Sequence, residues 1–160
     1  MSHERLLVDL AYEWAAFTFR GLHLNFAQHC TTRLNWSRCS HWGPAVYKWE
    51  GAVSSGPNAG KAGVLIGETE DLRQRIKQYV SGTQERGNRL WRETFLQKGD
   101  IRLWILRVHT FSLQVGGQPL PVPAGELLRS SNRRLVVEQL LVMQAVHGAP
   151  ADVWIVNARQ

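Results

Sequence analysis

The first apolar positions of the chain recur at three- and four-residue steps, at Leu7, Leu10, Ala11, Trp14 and Phe17. This spacing predicts an amphipathic helix that ends near Gly21. From there to Gly43 the periodicity is lost, which predicts irregular structure with one helical turn. Residues 1–42 are thus predicted to form an N-terminal helical extension ahead of a domain over residues 43–160.

A β-hairpin followed by a helix is predicted next. Ala45–Trp49 and Gly63–Ile66 are short apolar runs typical of strands, and Ser54–Gly60 between them is rich in turn-forming residues. Thr69 is predicted to cap a helix that reaches Val80. The apolar row of this helix is Leu72, Ile76 and Tyr79.

The second half of the chain is predicted to contain both helices and strands. In chain order these are a polar loop at Ser81–Asn88, a short helix at Arg89–Gln97, a strand at Ile101–Val108, a surface excursion or hairpin at Phe111–Gly125, a long helix at Asn132–His147 capped by Ser131, and a strand at Val153–Val156. The order of elements predicts an α/β fold of the mixed α+β kind, in which helices flank a small, mainly antiparallel central sheet.

Composition and charge narrow the class of protein. The chain has 160 residues, of which 44% are hydrophobic, and its formal net charge is +6. These values indicate one globular domain with a polyanionic partner, nucleic acid first and an acidic membrane second. No apolar run approaches the roughly 20 residues of a membrane span, and no secretory signal is recognised. With two cysteines only, Cys30 and Cys39, reduced thiols and a cytoplasmic protein without a membrane partner are expected.

Glu138 is the most conspicuous polar residue of the long helix. Nearly every residue from Leu135 to Val146 is apolar, which predicts that the helix is buried on all sides. A carboxylate in such a helix is costly unless it is paired or bound to a metal ion. A buried ion pair with an arginine, a glutamate at the edge of the helix and a metal ligand are all consistent with the sequence.

Three further residues are candidates for a site. Arg75 and Tyr79 are four residues apart and share one helix face, so the arginine could stabilise charge on a phosphate or extend into solvent. Gly67 lies where the second strand of the hairpin meets the helix, and a glycine there often lets the backbone approach a ligand.

In order and spacing these residues resemble the GIY-YIG nuclease family. Ala45-Val46-Tyr47 matches the first motif and Leu65-Ile66-Gly67 the second. The stretch from Ile66 to Arg75 is similar to the family's IG-x-T-x-(N/D)-L-x-x-R signature. The resemblance covers about residues 43–157. It implies a GIY-YIG nuclease-like fold and an endonuclease that hydrolyses DNA phosphodiester bonds with a divalent metal ion and a water nucleophile.

The resemblance also implies a role for each matching residue. Tyr47 would contact the attacking water and help to deprotonate it, while Arg75 would bind the scissile phosphate. Tyr79 would join the water or proton network, and Asn157 would brace the site. Glu138 would be the sole protein ligand of Mg²⁺ or Mn²⁺, with water and phosphate oxygens as the remaining ligands.

The chain departs from the family pattern at several positions. Ala45 and Val46 replace glycine and isoleucine, and Glu68 stands where some members have lysine. Leu65 replaces a tyrosine, so one expected hydroxyl is missing. The alternative function is therefore a catalytically inactive module of the same fold that binds nucleic acid. Retention of the other matching residues favours the active enzyme.

Basic and aromatic residues outside these motifs are candidates for contact with DNA. The predicted phosphate contacts are Arg73, Lys77, Arg86, Arg89 and Arg92. Trp36, Trp42 and Trp91 lie near arginines in the sequence and could stack on bases, or they could be ordinary surface residues.

Two other interactions are considered. The predicted N-terminal helix offers a surface for a homodimer or another protein partner. A zinc site is not expected, because the histidines and cysteines between His23 and His41 match no compact finger spacing.

Overall fold

A computed structural model of the chain describes residues 5–25, 35–53, 56–81, 101–120 and 122–156. Within these ranges the fold is mixed α+β, with eight strands and three α-helices. The strands are Leu6–Ala16 (β1), Thr18–Phe19 (β2), Leu22–His23 (β3), Ala45–Ala52 (β4), Ala62–Thr69 (β5), Arg102–Val115 (β6), Gln118–Leu120 (β7) and Val153–Ile155 (β8). The helices are Leu72–Ser81 (α1), Ala124–Leu127 (α2) and Ser131–Gly148 (α3).

Six of these strands form one sheet in the order β1-β6-β4-β5-β8, and β7 pairs with the far end of β6. Each pairing in this sheet is antiparallel except that of β5 with β8. The prediction of a mainly antiparallel central sheet is confirmed. The β4–β5 hairpin is also confirmed, because two apolar runs joined by a glycine-rich turn specify it locally.

The two faces of the sheet pack against different helices. Successive residues of a strand point to opposite faces, so Tyr47 lies on one face and Val46 on the other. The α1 face is covered by α1 and includes Tyr47, Trp49, Leu65, Leu72, Ile76, Leu103 and Ile105. The α3 face is covered by α3 and includes Val46, Val64, Ile66, Leu106, Val137 and Leu141.

The predicted N-terminal helix is wrong. Residues 6–16 form strand β1, which pairs with β6 along its whole length. Val8, Leu10, Tyr12 and Trp14 are partly buried, whereas Leu7, Asp9, Ala11 and Glu13 are exposed. This two-residue alternation competes with the helical spacing, and the long partner strand β6 selects it. The segment is therefore part of the central sheet, and the helical partner surface predicted for it does not exist.

The prediction that α3 is buried on all sides is also wrong. Val137, Leu141 and Val142 are buried against the sheet. Leu135, Val136, Met143 and Val146 are exposed by 44%, 53%, 58% and 46%. A single sheet face can cover only one side of a helix, so the apolar residues on the other side of α3 meet solvent.

Several element boundaries differ from the predictions. The predicted cap at Ser131 is wrong, because Ser131 is already the first residue of α3 and Ser130 lies at the N-cap position without a side-chain cap hydrogen bond. α1 begins after Asp71, whose Oδ1 accepts the Gln74 amide hydrogen bond, so the predicted cap at Thr69 is wrong. β6 continues to Val115 and turns at Gly116 and Gly117, both with positive φ, into β7. The hairpin alternative for this region is thus confirmed. The expected helical turn is found at Trp36–Arg38.

The other predicted elements of the second half of the chain are two strands, a loop and a short helix. Strands β6 and β8 confirm the predicted strands near Ile101–Val108 and Val153–Val156. The loop and short helix predicted after Ser81 fall on residues 82–100, outside the described residues. Among the described helices, none is long and apolar enough to cross a membrane.

Candidate active site

Tyr47 and Gly67 form the floor of the site. They are direct cross-strand partners in the β4–β5 hairpin. The Tyr47 ring lies over Gly67, and a Cβ atom built on Gly67 would be 2.6 Å from the Tyr47 hydroxyl oxygen. A side chain at residue 67 would therefore displace the tyrosine. Gly67 lies within β5, and its lack of a side chain makes room for the Tyr47 ring. The predicted role was different: a glycine at the end of the strand that lets the backbone approach a ligand.

Arg75 is fixed by two tyrosines. Its Nε donates a hydrogen bond of 3.0 Å to the Tyr47 hydroxyl. Its guanidinium carbon lies 4.6 Å from the centre of the Tyr79 ring, a cation–π distance. Nη1 also donates to Gln78 Oε1 at 3.2 Å. These contacts hold a partly exposed guanidinium in one orientation, as recognition of a phosphate requires.

The two tyrosine hydroxyls are joined by a hydrogen bond of 2.8 Å. Each tyrosine is 1% exposed. Burial raises the pKa of Tyr47 well above its usual range, more than the nearby Arg75 lowers it. Burial also raises the pKa of Tyr79, against the opposing effect of Arg75. Both phenols are therefore protonated at neutral pH. Their hydroxyls are hydrogen-bonded to each other, and that of Tyr47 also accepts a hydrogen bond from Arg75 Nε.

Arg75 remains a cation in this setting. Burial lowers its pKa, but Tyr47 and Tyr79 raise it by more, so the net pKa lies above the usual value. The four N–H groups at the start of α1 offer no anion site of their own, because each is already hydrogen-bonded. Leu72, Arg73, Gln74 and Arg75 donate to Gly43 O, Trp42 O, Asp71 Oδ1 and Asp71 O, respectively. A phosphate at this end of the helix would have to bind to side chains.

Glu138 lies on α3 within electrostatic reach of the Arg75–tyrosine cluster. Burial, and to a smaller extent the negative charge of Glu68, raise its pKa from 4.5 to about 7 against the opposing effect of Arg75. Glu138 also influences the pKa of Tyr79. In the described part of the chain no lysine or arginine forms an ion pair with Glu138. Ionisation of this carboxylate therefore costs free energy, and a bound cation would offset that cost.

Arg134 is a functional candidate that sequence reasoning missed. Its side chain is 1% exposed, and its Nε donates to Glu68 Oε2 at 2.8 Å. Its Nη1 donates to the carbonyl oxygens of Leu128 and Arg129, both at 3.0 Å. Arg134 therefore ties α3 to the end of β5, one helical turn before Glu138. The available signals were the i, i+4 spacing of Arg134 and Glu138 and the acidic residue at position 68.

Removal of Glu68 is expected to destabilise the protein strongly. In Glu68→Ala the buried Arg134 guanidinium keeps two carbonyl partners but loses its counterion. Such a loss costs about 3 kcal/mol or more in the free energy of unfolding. Urea denaturation measures this change.

A double-mutant cycle isolates the ion pair from the loss of packing. The double variant Glu68→Ala/Arg134→Met is expected to lose less free energy of unfolding than the two single variants lose in sum. The matched control is Glu13→Ala, since Glu13 and Arg107 form an ion pair in which both side chains are at least half exposed. We expect this control to cost less than about 1 kcal/mol. Additive effects of the two core substitutions would contradict a coupled pair.

The raised pKa of Glu138 makes a prediction about stability and pH. A carboxyl group with a folded pKa of about 7 and an unfolded value near 4.5 binds its proton more tightly in the folded state. Stability is therefore lost as pH rises from about 4.5 to about 7. In the presence of a chelator, Glu138→Gln is expected to match the wild type near pH 4.5 and to be more stable at pH 8.

The gain at pH 8 should be about 1 to 2 kcal/mol, after allowance for solvent screening of a partly exposed group. Thermal unfolding of the two proteins at several pH values checks it. A wild type that is equal to or more stable than the variant at pH 8 would contradict the desolvated carboxylate.

The structure brings together four of the predicted site residues and leaves others elsewhere or undescribed. Tyr47, Arg75 and Tyr79 are in direct contact, and Glu138 acts electrostatically with Arg75 and Tyr79. Arg73 and Lys77 are exposed on α1. Leu65 is buried in the same core as Tyr47 and Tyr79. Asn157, Arg86, Arg89 and Arg92 lie outside the described residues.

The described residues give no support to a zinc site. They contain no group of three histidine, cysteine or acidic residues arranged to hold a metal ion. The Nε2 atoms of His23 and His41 are hydrogen-bonded to Leu103 O and Pro44 O. Cys39 has a free, buried thiol whose pKa is raised by burial.

Comparisons with known proteins do not add to this picture. No protein-family model, curated protein or solved structure matches the chain.

Proposed function

We propose that the site formed by Tyr47, Arg75, Tyr79 and Glu138 hydrolyses DNA phosphodiester bonds with the help of Mg²⁺ or Mn²⁺. The protein would then be an endonuclease of the GIY-YIG kind that its sequence resembles. One observation carries the proposal: a guanidinium held by two buried tyrosines lies within electrostatic reach of a carboxylate that has a raised pKa. Residues far apart in the sequence make this arrangement, and each also matches the family motif.

The side chains present fit a divalent cation at Glu138. This carboxylate is desolvated, repelled by Glu68 and without an ion-pair partner in the described part of the chain. Glu68 is occupied by Arg134, so Glu138 is the carboxylate available to a cation. A single carboxylate with water and phosphate oxygens is a common way to hold Mg²⁺. When bound there, the cation would neutralise the phosphate and stabilise the leaving oxygen.

Arg75 binds the scissile phosphate in this mechanism. Its Nε is committed to Tyr47 and its Nη1 to Gln78, so the guanidinium is held in place and would present its positive charge to the phosphate. Preorganised donors of this kind are more effective than mobile ones, because they need no reorientation as charge develops in the transition state.

Tyr47 and Tyr79 position Arg75 rather than act as bases. Both remain protonated, and both are buried. Neither phenol therefore accepts the proton of the attacking water, which would pass to solvent, while the leaving oxygen would take up a proton from solvent. The second hydroxyl beside Tyr47 comes from Tyr79, at 2.8 Å. A hydroxyl partner for Tyr47 thus persists although Leu65 replaces the tyrosine of the family motif.

Cleavage of an end-labelled DNA oligonucleotide tests the proposal. The purified protein is incubated with Mg²⁺, with Mn²⁺ or with a chelator. We expect cleavage that requires a metal ion, and in ¹⁸O-water one ¹⁸O atom in the terminal phosphate of one product. Cleavage that is equal in the chelator would contradict the role of the cation.

The inactive binding module is the second candidate, favoured by the buried Leu65. It predicts no cleavage under any of these conditions. It also predicts duplex binding whose affinity falls by about 0.9 log units per phosphate contact for each log unit of salt.

A further inference from the structure

A second concave surface lies next to the start of β4. It is a cleft of about 570 Å³ between the segment before β4, the middle of β6 and the region of α2. Its ionisable lining residues are Glu13, His41, Arg107, His109 and Arg129. We call this the basic cleft, because two arginines and two histidines face a single carboxylate.

The ion pairs inside the basic cleft are weak. Glu13 lies 3.5 Å from Arg107 and 3.8 Å from His109, and all three side chains are at least half exposed. Exposed pairs of this kind contribute little stability. A phosphate group, which arginine binds well through two parallel hydrogen bonds, can therefore replace Glu13 at small cost.

The basic cleft and the candidate active site share a buried residue. Arg134 donates to the carbonyl oxygens of Leu128 and Arg129, which line the cleft, and to Glu68, whose charge acts on Glu138. The wall of the cleft is thus fixed relative to the proposed metal ligand.

Trp42 projects from the segment between the cleft and α1. Its side chain is 54% exposed, although its neighbour His41 lines the cleft. Its carbonyl oxygen accepts the Arg73 amide hydrogen bond at 3.2 Å, which fastens residue 42 to the first turn of the helix that carries Arg75. An exposed indole on a rigid support, next in the chain to a residue that lines the basic cleft, is a suitable platform for a nucleic-acid base.

We propose that the basic cleft holds the phosphates of one DNA strand and that Trp42 stacks on an unpaired base of that strand. This inference rests on the proposed nuclease and names its substrate class, which is single-stranded DNA or a duplex with an unpaired end or flap. Internal bases of a duplex are stacked on both faces, so only an unpaired or terminal base can lie flat on the indole.

Equilibrium binding in chelator tests the proposal without catalysis. The probes are a fluorescent single-stranded oligonucleotide and a blunt duplex of the same sequence. The wild type is expected to bind the single strand at least about fivefold more tightly. Trp42→Ala should lose at least about fivefold on the single strand and change by less than about twofold on the duplex. Trp42→Phe should keep most of the preference, because it retains an aromatic face.

The phosphate contacts are tested by the salt dependence of single-strand binding. Arg129→Ala should lower the slope of log affinity against log salt by about 0.7, the value for one phosphate contact on a single strand. Arg5→Ala is the matched control. Arg5 is exposed and its carbonyl contacts Gly116, at the opposite end of β1 from Glu13, so the slope should not change.

Equal affinity of the wild type for both probes would overturn the proposal. An equal effect of Trp42→Ala on both probes, in variants shown by circular dichroism to be folded, would also overturn it. The outcome is independent of the proposed function. Single-strand preference without cleavage in Mg²⁺ would reject the nuclease and retain the cleft, whereas cleavage without this preference would reject the cleft and retain the nuclease.

Discussion

Glu138→Gln is expected to lower the rate of DNA cleavage at least about a thousandfold, since loss of a catalytic metal removes several kcal/mol of transition-state stabilisation. Glutamine keeps the shape of the side chain but removes the charge that holds the cation. The substitution also relieves the cost of a desolvated carboxylate, so the protein should remain folded. Affinity for DNA, measured in chelator, should stay within about threefold of the wild type, because phosphate contacts elsewhere supply it.

Glu70→Gln is the matched control for this loss of charge. Glu70 is an exposed carboxylate between β5 and α1, close in sequence to the site. It has no assigned role in catalysis, and its substitution should change the cleavage rate by less than about threefold. Similar losses in both variants would indicate a general electrostatic effect and contradict a specific cation ligand.

Arg75→Lys is expected to lower the cleavage rate by about 100- to 1,000-fold, the usual cost of one preorganised donor to a developing charge. Lysine keeps the positive charge but has no Nε–H directed at Tyr47 and no planar group to lie on the Tyr79 ring. The ammonium is therefore free to adopt several positions. Single-turnover kinetics at saturating protein measures the chemical step separately from binding.

Arg73→Lys provides the comparison on the same helix. Arg73 is exposed on α1, two residues before Arg75. If Arg73 contacts phosphate through its charge alone, lysine at residue 73 should support a cleavage rate within about threefold of the wild-type rate. An equal tolerance of lysine at residue 75 would contradict the role of the tyrosine cluster in orienting the guanidinium.

The parts of the fold that were predictable from the sequence are those set by local patterns. β4, β5 and α1 follow from two apolar runs, a glycine-rich turn and an apolar row at helical spacing. The N-terminal segment was not predictable in this way, because Leu7, Leu10 and Trp14 fit a helix while Val8, Leu10, Tyr12 and Trp14 fit a strand. The choice depends on pairing with β6, about a hundred residues away in the chain.

The site was only partly predictable for a related reason. The family resemblance indicated Tyr47, Arg75, Tyr79 and Glu138, which the fold brings together. It did not indicate that the tyrosines bind Arg75, since that depends on the register that places Tyr47 over Gly67. It also did not indicate Arg134. A buried arginine is recognised only when its partner Glu68 and two backbone carbonyls are seen around it.

Trp42 and the basic cleft show the same limit. The sequence placed Trp42 among tryptophans near arginines, but the arginines of the cleft come from β6 and the end of α2. They line one cleft with His41, the residue before Trp42, because β4 lies next to β6 in the sheet. Sheet order is a property of the whole fold and has no signature in any short segment.

The most direct test of the central claim is Mg²⁺-dependent nicking of a supercoiled plasmid by the wild type, with Glu138→Gln and a chelator control in parallel. We predict nicking by the wild type with Mg²⁺, loss of nicking in the chelator, its return when Mg²⁺ is restored, and none by Glu138→Gln. Unpaired regions of the supercoiled substrate supply the single strand that the basic cleft requires. Nicking by Glu138→Gln at the wild-type rate, or none by a folded wild-type protein with either metal, would contradict the proposed nuclease.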